Sequence, residues 1–148
     1  MSHSTTGYIP KTRMAVGSIS SANITGTTAG QLGHANGVEL VPAFGSDKVL
    51  ELVSAIIIME AGATAYTGGG DTSINIGSGG AALTGVVSNA NLIQSATDAI
   101  YHFVPLSTAG NAQTANRGLN LVTDSAPTGS GDGVINYRIT YRVHSTSL

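Results

Sequence analysis

The chain is 148 residues long, 41% hydrophobic and only 9% charged, with 6 Lys and Arg against 8 Asp and Glu for a formal net charge of −2. That size and apolar content suit one folded domain and exclude an intrinsically disordered chain. So few cations argue against a nucleic-acid partner, and the absence of cysteine excludes a disulfide scaffold, a thiolate metal site and a Cys nucleophile.

The N-terminus, Met1-Ser-His-Ser-Thr-Thr-Gly-Tyr, lacks the basic start and apolar run of a signal peptide. Residues 1–13 are polar and read as an extended N-terminal arm, with residues 14–148 as a single β domain. Met14 to Ile19 is a weak first strand. Small polar residues then run to Asn36-Gly37, a turn dipeptide. Val38 to Val41 is a short strand stopped by Pro42, whose missing N–H suits a strand end.

Lys48 to Met59 is the most apolar segment, and its Ile56-Ile57-Ile58 run favours strand over helix. Strict alternation places Val49, Val53, Ala55 and Ile57 on one face and Leu50, Leu52, Ile56 and Ile58 on the other. A strand apolar on both faces is expected to be covered on both. The longest apolar stretch, Leu52 to Met59, is too short to cross a bilayer as a helix, so no membrane partner is expected.

Thr67-Gly-Gly-Gly-Asp71 marks a sharp turn. Thr72, Ile74 and Ile76 then alternate with Ser73, Asn75 and Gly77 as in a half-buried strand. Ala81 to Val87 is poorly marked. Ser88 to Thr97 reads as a short helix, with Ser88 as its cap and Leu92-Ile93 turned inward. Strands follow at Asp98 to Val104 and Gly118 to Thr123, and a loop at 126–133. In the last strand Ile135, Tyr137, Ile139, Tyr141 and Val143 repeat at period two, which no helix reproduces. Seven or eight such strands imply an antiparallel, jelly-roll-like β-sandwich.

Chemistry is harder to find. His3, His34, His102 and His144 form no ligand pair in sequence, and no nucleophile elbow occurs. The carboxylates are scattered rather than paired, and the glycine clusters lack a phosphate-loop ending. Gly131-Asp-Gly133 reads as a turn rather than a calcium loop. Tyr66, Tyr101, Tyr137 and Tyr141 are candidates for sugar stacking, although Tyr137 and Tyr141 share the apolar face and there is no tryptophan. No enzyme, metal or cofactor is expected.

Three stretches together carry a likeness: Val38-Glu-Leu-Val-Pro-Ala-Phe-Gly-Ser-Asp-Lys-Val49 before the long strand, Ala65-Tyr-Thr-Gly-Gly-Gly-Asp71, and Gly131-Asp-Gly133 leading into Tyr137-Arg-Ile-Thr-Tyr-Arg-Val143. From about Val38 onward the chain resembles the small β-sandwich structural proteins of tailed bacteriophages, including the decoration or cement proteins that stud capsids. The resemblance implies a jelly-roll homotrimer, made in the bacterial host cytoplasm and located on the capsid surface, with the major capsid protein as partner. It also implies a capsid-contacting arm (His3, Tyr8, Ile9, Lys11, Arg13) and a subunit interface on the two-sided strand (Leu50, Leu52, Ile56, Ile58). Competing expectations are a neck, tail or spike-base component, or a glycan- or receptor-binding jelly roll.

Overall fold

The structure, a computed structural model, describes residues 10–107 and 113–147. Among these residues it has nine strands and one short helix: β1 (Arg13–Ile19), α1 (Ser21–Thr25), β2 (Val38–Val41), β3 (Lys48–Glu60), β4 (Thr67–Gly68), β5 (Thr72–Ile76), β6 (Ala99–Phe103), β7 (Leu119–Thr123), β8 (Pro127–Thr128) and β9 (Val134–Ser145). All pairings are antiparallel. One sheet has the order β1-β9-β3-β6, a second β2-β7-β5, and β4 pairs with β8 in a small third sheet. The chain is therefore an all-β sandwich, as its alternating segments require.

Each successive long strand changes sheet: β1, β3, β6 and β9 lie in one, and β2, β5 and β7 in the other. Residues 82–87 lie along β5 through bridges at Ala82 and Val87, extending that sheet by an irregular edge. Between the sheets sits one apolar core, including Ile19, Leu50, Ile57, Ile74, Leu119, Leu121 and Ile139. Ile24, from the single turn of α1, and Leu32, from the loop after it, are also fully buried.

The last strand keeps its period. Ile135, Ile139, Tyr141 and Val143 are buried, whereas Tyr137 is half-buried over the edge strand β1. The long strand does not keep a single period. Between Leu52 and Ser54 its pairing with β9 slips by one residue, leaving Val53 as a bulge. Its inward set is therefore Leu50, Leu52, Ala55, Ile57 and Met59. This corrects the expected faces: Leu50 and Leu52 point into the core of their own chain, while Ile56 and Ile58 point out, because one unpaired residue reverses every side chain beyond it.

Two local expectations change as well. The segment 88–97 is a run of turns rather than a helix, with Asn91 and Leu92 N–H groups both bonding Ser88 O, and Gln94 N–H bonding Asn89 O. Its Ser and Asn residues offer the backbone alternatives to helix. Two side chains tie the segment to the glycine turn: Asn89 Nδ2 donates to Gly69 O at 2.6 Å and Gln94 Nε2 to Gly68 O at 2.6 Å. Leu92 and Ile93 are nevertheless turned inward and fully buried. The helix that does form, α1, spans five residues, too few to carry a periodic signal.

Candidate functional site

The two sheets differ in what they show to the outside. On the outer face of the three-stranded sheet, Glu39, Ser73, Asn75, Asn120 and Val122 alternate with the core residues. Hydrogen bonds close this face: Ser73 Oγ to Asn75 Oδ1 at 2.7 Å, Asn75 Nδ2 to Gly80 O at 3.1 Å, and Asn120 Nδ2 to Asn36 O at 2.9 Å. This face is polar rather than aliphatic, but it is not open to solvent throughout: Ser73 and Asn120 are buried, and of the five only Glu39 is exposed.

The outer face of the four-stranded sheet is different. Cross-strand register arranges it in rows: Met14, Thr140 and Ser54; then Val16, Arg138, Ile56 and His102; then Ser18, Asn136, Ile58 and Ile100. Met14, Val16 and Ile100 are each about two-thirds exposed, at 64%, 65% and 67%. Ile56 and Ile58 lie half-buried between them. The aliphatic side chains of β1, β3 and β6, interrupted by the polar outer residues of β9 (Asn136, Arg138, Thr140), make a surface that gains free energy when covered.

Charge on this face is sparse and placed unevenly. Arg142 donates to Glu51 Oε2 at 2.9 Å and, through Nε, to Thr12 Oγ1 at 3.3 Å; His144 lies 3.7 Å from Glu51. Arg138 and Glu60 are exposed and have no ion-pair partner among the described residues. The whole molecule follows the same trend along the strand axis. Lys11, Arg13, Lys48, Arg117 and Arg142 lie toward the end where β9 finishes, along with Glu39, Asp47 and Glu51. The opposite end has Glu60, Asp71, Asp98, Asp124 and Asp132 and no Lys or Arg.

The expected site residues scatter when placed on this frame. Ile56 and Ile58 belong to the aliphatic stripe, but Leu50 and Leu52 are 1% and 2% exposed and cannot meet a partner. Lys11 is exposed. Arg13 is not part of an arm: it opens β1 and stacks over Phe44, 5.2 Å from the ring centroid, with Phe44 6.1 Å from the Tyr141 ring. His3, Tyr8 and Ile9 lie outside the described residues. Tyr66 and Tyr141 are buried, and Tyr101 and Tyr137 sit on the inner face, so these four form no exposed stacking platform.

Polar groups do not converge on a reaction centre. No group of three or more His, Asp or Glu that could hold a metal occurs among the described residues. The buried Thr72 Oγ1 and Asn120 Oδ1 lack partners, but they belong to opposite faces of the three-stranded sheet. Lys48 hydrogen-bonds Asp47 and lowers its carboxyl pKa. Burial raises the Tyr66 phenol pKa, helped by the negative charge of Asp132. The aliphatic stripe was invisible in sequence because Met14, Val16, Ile58 and Ile100 come from three separate strands and meet only through register. Compared with known families, curated proteins and solved structures, the chain matches none.

Proposed function

We propose that this chain is a non-enzymatic structural protein of a tailed-phage virion, of the decoration type, which attaches in several copies to the assembled head and stabilises it. The observation that carries this reading is the aliphatic outer face of the four-stranded sheet, on a sandwich whose other face is polar. A chain with 9% charged residues guards poorly against association, which suits life within an assembly. The strand order supports a jelly roll: successive long strands alternate between sheets β1-β9-β3-β6 and β2-β7-β5, with residues 82–87 as an eighth, irregular strand.

Binding only the assembled shell stabilises it by mass action on the state that presents the site. Several weak contacts in one multivalent unit add avidity without any strong single site. A homotrimer is the unit that the resemblance implies. Residues 10–12 precede β1 at the cation-bearing end, and Lys11 among them is exposed.

The test is co-sedimentation of the full chain with phage heads assembled without it, followed by heating of the decorated heads. Saturable binding and a higher disruption temperature are expected. A chain that stays in the supernatant at every concentration overturns the proposal. Removing residues 1–11 separates the arm from the body: retained binding would assign the contact to the sandwich alone.

A further inference from the structure

We infer that the outer face of the four-stranded sheet pairs with the same face of a second copy, about a two-fold axis running across the strands along the row Ser18, Asn136, Ile58 and Ile100. A two-fold contact is isologous, so each group on the face must meet what the rotation brings to it. On this face the location of the axis is dictated by charge. An axis through the row of Arg138 would set Arg138 against its own copy. Moving the axis one row, to Ile58, exchanges the row of Ile56 and Arg138 with the row of Glu60 and Val134.

The spacing is symmetrical. Ile56 and Glu60 each lie two residues from Ile58 on the same side of β3, about 7 Å along the strand. Rotation therefore brings Arg138 opposite Val134 of the other copy, one strand from that copy's Glu60, and the same pair recurs on the other side of the axis. Two sheets packed face to face stand about 10 Å apart, a gap that an Arg and a Glu reaching toward each other can close. Both side chains are exposed and have no ion-pair partner among the described residues, so neither has to give one up there.

Between the two ion pairs lies the aliphatic row, Ile58 and Ile100, each meeting its own copy. The polar Asn136 and Ser18 share the axis row and can hydrogen-bond their counterparts. The rotation also reverses the strand direction. Because the axis lies two residues from the Glu60 end of β3, the two copies overlap at their carboxylate-bearing ends while their cation-bearing ends project beyond, so the arrangement rests on the local Arg138–Glu60 pairs. This inference gives to a second copy the same face that supports the phage reading, and puts a pair in place of the trimer.

The experiment is sedimentation equilibrium of the full chain and of three variants: Arg138→Glu, Glu60→Arg, and the two combined. The wild-type chain should run at twice its 14.8 kDa mass. Each single reversal should weaken association by at least about tenfold, and the combined exchange should restore most of it. Both positions are exposed, and circular dichroism with thermal melting checks that each variant folds. A monomeric wild-type chain, a trimer indifferent to Arg138→Glu, or a combined variant as weak as the singles overturns the pairing. None of these results touches head binding, which co-sedimentation reads separately.

Discussion

Gly17 and Tyr137 face each other across β1 and β9, and the tyrosine ring fills the space that a Cβ on Gly17 would need. β1 is an edge strand, so an inward ring at position 137 has no further strand to pack beneath. It lies across the glycine instead and seals the edge of the core, which is why Tyr137 is half-buried while its neighbours on the same face are buried. Gly17 is extended backbone, and space rather than backbone conformation requires it. Gly17→Ala should cost about 1–3 kcal/mol in urea unfolding through overpacking. In a Tyr137→Ala background the same change should cost nothing, and a penalty that persists there would contradict the ring contact.

Ile57 and Ile58 are sequence neighbours with opposite roles. Ile57 is fully buried, whereas Ile58 is half-buried on the outer face. Ile57→Ala should lose about 2–5 kcal/mol, and Ile58→Ala well under about 1 kcal/mol. Measuring both in the Arg138→Glu background removes any contribution from self-association. Equal losses would show that the faces of β3 are wrongly assigned.

Val53 is the residue that β3 has in excess. Deleting it should leave a regular strand with Leu50, Leu52, Ala55, Ile57 and Met59 still inward, and the variant should fold. Deleting Thr140 from β9, which has no extra residue to absorb the change, should turn core side chains such as Tyr141 and Val143 outward. At about 1.5–3 kcal/mol for each large apolar side chain exposed, that loss is comparable to the whole stability of a small domain. Solubility and thermal melting of the two deletions check this, and a stable Thr140 deletion would refute it.

Tyr66 sets an alkaline limit. It is buried and donates through its hydroxyl to Gly133 O at 2.6 Å, and burial together with Asp132 raises its pKa. A pKa raised in the folded state means that folding favours the protonated phenol. The associated stability is therefore complete below the ordinary tyrosine range, about pH 10, and is lost as pH rises through the folded value. Unfolding free energy should fall above about pH 10. Tyr66→Phe should reduce that slope while costing about 1–3 kcal/mol at pH 7, because Gly133 O is left unpaired. An unchanged alkaline slope in Tyr66→Phe would assign it to other groups.

The alternation of Ile135, Ile139, Tyr141 and Val143, the glycine turn at 68–70 and the stop at Pro42 are sufficient by themselves to specify an all-β chain and most of its strands. These are local signals: side-chain period and turn chemistry depend only on near neighbours in the chain. What the sequence left open were the non-local choices. The bulge at Val53 is defined by the partner strand β9, so no reading of β3 alone could tell Leu52 from Ile56. The turns at 88–97 are held by carbonyls of the glycine turn some twenty residues earlier, which local propensity does not register. The aliphatic stripe with Arg138 and Glu60 on either side of Ile58 exists only once β1, β9, β3 and β6 lie side by side. Composition and periodicity determined that this chain is a β-sandwich with little charge; tertiary register decided which of its faces was left without a cover.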